Sequence, residues 1–150
     1  MTTSGSDSDS ERRDRRAAGL AKMAEVYGFD ISDAPGDFFG YTVEHLFGDI
    51  WQRPGLDIRD RRLLLIGLLV GQGLDDVLDV QLPAALDRGE LTDEQLREIV
   101  ILFCHYAGWP VGAKLNTKVE TLLARRSKAA AKAAAAAPNA DERGGEDGPR

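Results

Sequence analysis

The run Leu63 to Val70 holds one glycine and seven large apolar residues, so a helix built from it is apolar nearly all round. Such a helix needs cover on every side, either at the centre of a core or between copies of a chain. It is too short to cross a bilayer, and no other apolar run approaches twenty residues, so a membrane span is not expected. The start lacks a charged segment followed by an apolar one, so no secretory signal is read and a cytoplasmic location is expected. The single cysteine, Cys104, cannot form an internal disulfide, which agrees with a reducing compartment.

Apolar residues recur at helical spacing on both sides of this run. From Glu11 to Tyr27, Leu20, Met23, Ala24 and Tyr27 fall at i, i+3, i+4 and i+7, and Gly28 ends the segment. Asp30 to Gly36 reads as a loop. A second helix over Asp37 to Trp51 carries Phe39, Val43, Leu46, Phe47 and Ile50, and stops at Arg53-Pro54-Gly55. Asp57 is the expected N-cap of the central helix, which Gly71-Gln72-Gly73 breaks. A fourth helix is capped by Asp75 or Asp76 and runs to Leu86, with a kink or restart expected at Pro83. Thr92-Asp93-Glu94-Gln95 has the capping-box form and starts a fifth helix, with Leu96, Ile99, Phe103 and Tyr106 on one face. Gly108 ends it, and a sixth begins near Pro110 and runs to about Arg126. No window alternates like a strand, so the chain is expected to be all-α.

Length bounds the result to one domain. Residues 1–10 are small and polar and are expected as a disordered tail; 11–126 form the domain; 127–150 are an Ala/Lys-rich and then charged low-complexity tail, whose alanines can prolong the last helix. Residues 1–16 hold four acidic and four basic groups, and 127–150 hold the same, so 17–126 carries 17 acidic against 11 basic and all of the net charge of −6. An acidic domain is a poor counterion for phosphates, so no nucleic-acid partner is expected. No His, Cys, Asp or Glu cluster has metal-ligand spacing, so no metal is expected.

The order of Trp51-Gln52-Arg53-Pro54-Gly55-Leu56-Asp57, the arginine-led central helix, the Thr92 capping box and Tyr106-Ala107-Gly108-Trp109-Pro110 resembles the carboxymuconolactone decarboxylase family, which includes the alkylhydroperoxidase D-like proteins. The resemblance spans roughly Leu20 to Ala124. It implies a compact helical domain of about six helices that assembles as trimers or hexamers. It also implies a cofactor-free lyase acting on a small lactone carboxylic acid from aromatic catabolism.

Its peroxidase branch uses a Cys-x-x-Cys pair with a nearby His, and here only Cys104 is present. The two readings of that residue are a small buried apolar group and a one-cysteine thiol serving a peroxiredoxin-type antioxidant. The decarboxylase branch carries a histidine where this chain has Gln81, which hydrogen-bonds but cannot shuttle a proton as imidazole does. Loss of that histidine leaves open a non-catalytic binding or assembly protein on the same scaffold.

Glu94, Glu98 and His105 fall on one side of the fifth helix, with Glu98 and His105 about 10 Å apart along its axis, a span that suits flanking a small ligand. Glu98 matches an acidic position common in the family. The candidate catalytic residues are therefore His105, Glu98 and Cys104. Arg53 and Arg61 stand where the family has arginines, and a guanidinium can hold a carboxylate with two hydrogen bonds; structural salt bridges to Asp57 or Asp60 are the competing reading. Gln81, Trp51 and Tyr106 complete the candidate substrate-binding set, with Trp51 and Trp109 also readable as packing residues.

Overall fold

The computed structural model describes residues 4–136, and these form helices and loops without a strand. In chain order they are α1 (Ser4–Tyr27), α2 (Asp37–Gly40), α3 (Ile58–Gln72), α4 (Asp75–Asp87), α5 (Asp93–Tyr106) and α6 (Trp109–Ala136). The all-α expectation holds. Residues 1–3 and 137–150, the outer parts of both expected tails, lie outside the described residues.

Local chemistry explains most boundaries. Gly28, Gly73, Gly89 and Gly108 all have positive φ and end α1, α3, α4 and α5, a conformation that costs glycine little. Thr92 closes its capping box: its Oγ1 accepts from Gln95 N at 3.2 Å and Gln95 Oε1 accepts from Thr92 N at 3.0 Å. The alanine run carries α6 on to Ala136, as its propensity allows.

Four expectations need correction. Helix α1 starts at Ser4 rather than Glu11. The single helix expected over Asp37 to Trp51 is instead α2, a π-helical stretch (Tyr41–Phe47) and a short 3₁₀ turn (Ile50–Gln52). Gly48 N donates to Val43 O at 2.8 Å, the five-residue bond of π geometry, and sits so close to the Glu44 carbonyl that a Cβ would collide with it. Asp57 occupies the N-cap of α3 but its side chain makes no capping bond, and Leu74, not Asp75 or Asp76, is the N-cap of α4. Helix α4 continues through Pro83 to Asp87, so of the kink or restart expected there the restart does not occur.

The interior has two apolar clusters. The larger joins α3 to α6 around Ile66, Leu69, Leu78, Leu82, Leu96, Val100, Leu115 and Val119. The smaller joins α1 to the π-helical stretch through Met23, Val26, Val43 and Phe47. Helices α5 and α6 pack closely, since a Cβ on Gly112 would lie 2.8 Å from Cys104 Cα and 2.9 Å from its N. Across the other side of α6, Lys114, Lys118 and Arg126 pair with Asp75, Asp79 and Asp87 of α4. Both series have spacings of four and eight, so the two helices run in parallel register.

The central run divides as its all-round apolarity suggested. Ile66, Leu69 and Val70 are buried in the core, while Leu64 and Leu68 remain 65% and 54% exposed. Helix α3 meets α5 at Gly67, where a Cβ would lie 3.8 Å from the Phe103 ring. Leu102 and Tyr106 on α5 are 55% and 86% exposed. Tyr106 thus leaves the inward face expected for it, because it is the last residue of the helix and projects beyond the core.

Candidate active site

The expected site residues are not gathered at one place. Glu98 and His105 are exposed on α5, and His105 Nδ1 lies 2.8 Å from the Ile101 carbonyl of its own helix. Cys104 is half-buried and turned toward Gly112 at the α5–α6 seam. Arg61 is engaged with the preceding loop: its Nη2 donates to Arg53 O at 2.6 Å and its Nε to Leu56 O at 3.1 Å. Those bonds fix the turn into α3, and they replace the Asp57 or Asp60 salt bridge considered for Arg61. The Arg53 side chain is exposed. Trp51 stacks on Phe47, with ring centroids 6.0 Å apart and 13° between planes, so it packs the smaller cluster.

Gln81 is different. It is buried in α4, and its Oε1 accepts from Arg62 Nη1 at 2.5 Å. Arg62 has no exposed surface at all. Its Nε donates to Glu90 Oε2 at 2.7 Å and its Nη2 to Glu90 Oε1 at 3.0 Å, a bidentate pair. Nη2 also donates to Val26 O at 2.6 Å, satisfying a carbonyl of the last turn of α1. Arg88 Nε donates to the same Glu90 Oε1 at 2.9 Å, and Arg88 Nη2 reaches Glu25 Oε1 at 3.2 Å. One connected polar centre therefore joins α1, α3, α4 and the turn before α5, where the two apolar clusters meet.

Tyr27 stands beside this centre, stacked with Phe29 and edge-on to Phe47. Burial pushes its phenol up, and the positive charge of Arg62 offsets part of that shift.

Arg62 was the functional-looking residue that sequence reasoning passed over in favour of Arg61. The signal was there. Arg62 shares a helical stripe with Ile66, Leu69 and Val70, at i+4, i+7 and i+8, so it had to point inward with them.

A cleft of about 960 Å³ opens between α1 and the π-helical stretch, lined by Arg12, Arg16, Tyr41, Glu44, His45 and Asp49 among others, and it contains none of the expected site residues. Arg16 there is bound to Asp33 and Glu44, which raise its pKa, while it holds both carboxyls below their usual range. Among the described residues no group of three or more His, Cys, Asp or Glu is placed to hold a metal, and no helix is long and apolar enough to cross a membrane.

The family model described as "Carboxymuconolactone decarboxylase family" matches residues 36–115, from just before α2 into the first part of α6. That is more than half of the chain. The chain belongs to the carboxymuconolactone decarboxylase family.

Two relatives agree with this membership. A 4-carboxymuconolactone decarboxylase of Acinetobacter baylyi is 32% identical over an alignment covering 64% of this chain and 77% of the relative. A nitrosuccinic acid decarboxylase of Metarhizium robertsii is 39% identical over 68 residues, covering 45% of this chain and 47% of the relative. No solved structure is a significant match. At the level of the family this carboxymuconolactone decarboxylase-family protein is decarboxylase-like, and helix α1, which supplies Val26 and Glu25 to the polar centre, lies outside the matched region.

Proposed function

We propose that the protein is a lyase that removes CO₂ from a small lactone carboxylic acid of aromatic catabolism, without a cofactor, in the cytoplasm. The observation that carries this reading is the placement of Gln81. The position that holds a histidine in the decarboxylase branch lies here in a buried polar centre beside a fixed cation, Arg62. Family membership and two relatives named as decarboxylases of carboxylic acids support the reaction class.

Loss of CO₂ leaves an electron pair on carbon, which must be delocalised toward a carbonyl oxygen and then protonated. A buried guanidinium suits the first task, since a fixed charge in a dry site needs no reorganisation as negative charge develops. Gln81 can only orient and hydrogen-bond. The proton must come from another group, and His105 and Glu98 of α5 are the candidates in this reading.

Homo-oligomerisation, as a trimer or hexamer, belongs to the same proposal. Leu64, Leu68, Leu102 and Tyr106 form exposed apolar surface around the α3–α5 contact, and Glu98 and His105 stand on the outer side of α5 with them. A second copy covering that face would bring both into a dry environment.

The test is turnover of γ-carboxymuconolactone by the purified protein, run beside an organic hydroperoxide with a dithiol reductant. CO₂ release that survives Cys104→Ser is the expected result. Peroxide consumption that disappears in Cys104→Ser would transfer the activity to the thiol. Inactivity toward both substrates would favour a binding role for the scaffold.

A further inference from the structure

Glu90 is held in an unusual way for a residue on a turn. Three N–H groups from two arginines close on its carboxylate: Arg62 Nε and Nη2 at 2.7 and 3.0 Å, and Arg88 Nε at 2.9 Å. We propose that Arg62 and Arg88 form a carboxylate-binding subsite that Glu90 fills from within, and that the carboxyl group of a small organic acid takes its place. The choice of a small carboxylic acid as ligand rests on the decarboxylase reading above.

The clamp does not depend on Glu90 for its shape. Arg62 keeps two further acceptors, Gln81 Oε1 at 2.5 Å and Val26 O at 2.6 Å, neither of which depends on the Glu90 carboxylate. Arg88 keeps Glu25, which is itself fixed by Lys22 at 2.6 Å. With Glu90 swung out, both guanidinium groups stay where they are.

The turn does not depend on the Glu90 side chain either. Glu90 N donates to Ala85 O at 2.9 Å, and Glu90 O accepts from Arg59 Nε at 3.0 Å. Those backbone bonds survive any rotation of the carboxylate. The side chain is 8% exposed, and it lies at the solvent end of the cluster, next to the 29%-exposed Arg88 and the 38%-exposed Glu25. An entering acid would therefore approach Arg62 past Arg88, through the place that the Glu90 carboxylate vacates.

Charge gives the selectivity. With Glu90 displaced, two guanidinium groups face one remaining carboxylate, Glu25, and the subsite carries an excess positive charge at the edge of an apolar interior. Its fork geometry matches a planar carboxylate with two oxygens better than a spherical halide. A bound carboxyl group would be one guanidinium away from Gln81, the family's reactive position.

The experiment compares thermal unfolding in sodium acetate and in sodium chloride at equal ionic strength, for the full chain and three variants. In the parent, Glu90 competes as an attached carboxylate and acetate adds little. Glu90→Ala should bind acetate at least tenfold more tightly than the parent; at ten times the dissociation constant its folded-to-unfolded ratio rises about 11-fold. Glu90→Gln keeps the volume filled and should show no acetate-specific gain, and Glu90→Ala combined with Arg88→Gln should lose the gain. If Glu90→Ala is unfolded in chloride, acetate must restore its helical circular dichroism. Equal behaviour of Glu90→Ala in the two salts, folded or unfolded, overturns the proposal, as does a gain that persists without Arg88. None of these readings uses turnover: acetate binding without decarboxylation overturns the catalytic reading alone, and decarboxylation without acetate binding overturns the subsite alone.

Discussion

The polar centre around Arg62 and the ladder between α4 and α6 are both made of ion pairs, yet they do different work. In the ladder, Lys114, Lys118 and Arg126 meet Asp75, Asp79 and Asp87 at the surface, where water already solvates each charge. Such pairs contribute little individually, and their effect is to favour one register of two parallel helices over its neighbours. In the centre, Arg62 is removed from water entirely and its guanidinium is fixed by Gln81, Val26 and Glu90 together. A charge placed there has a desolvation cost that only good geometry offsets, so the centre adds little net stability while making any single deletion expensive. Position, more than pairing, decides what an arginine does for this chain.

The sharpest way to break the comparison is Arg62→Met. It leaves the Gln81 amide and the Val26 carbonyl without their partner and the Glu90 carboxylate with Arg88 alone, and a loss of about 3–5 kcal/mol is expected in urea unfolding. Adding Glu90→Gln and Gln81→Leu should recover more than half of that loss, because the uncompensated groups are then gone. A triple variant as unstable as the single one would show that Arg62 stabilises by packing rather than by charge.

Gly112→Ala tests close packing without charge. The new methyl meets the Cys104 backbone at 2.8–2.9 Å, which neither helix can relieve without moving. A cost of about 1–3 kcal/mol is expected. Lys118→Met, by contrast, should change stability by about 0–1 kcal/mol, with the difference shrinking as salt is added. The Arg62 effect should depend much less on salt, because the Arg62 side chain has no exposed surface.

Much of the fold was legible because its causes are local. The Thr92 capping box, the glycines that end four helices and the stripes of Val43, Phe47 and Leu96 are all written within a few residues of where they act. The π-helical stretch was not, because it depends on the close approach of Gly48 to the chain one turn before it. The ladder was not, although its spacing is regular, since only the tertiary arrangement says that residue 79 faces 118. At the site, Gln81 is legible through the family position, whereas Arg62 is one of three arginines that open α3 and composition alone does not separate them. Helical phase separates them: Arg61 turns to the loop carbonyls and Arg62 follows Ile66 inward.

Between the two extremes stands Arg16, partly covered, bound to Asp33 at 2.6 Å and Glu44 at 2.8 Å. Its hydrogen bonds, and then its charge, hold both carboxyls below their ordinary values of 3.8 and 4.5. A lowered folded pKa means that the unfolded chain takes up protons first as pH falls. The contribution is therefore complete above about pH 5 and is lost as the pH drops through the unfolded and then the folded values. Arg16→Gln should leave stability near neutral pH slightly reduced and flatten the acid limb of the stability curve below pH 4.5, with the two proteins converging at the lowest pH. An acid limb as steep in Arg16→Gln as in the parent would assign that limb to other carboxylates, with Glu120, lowered by Arg97 across α5 and α6, the next to examine.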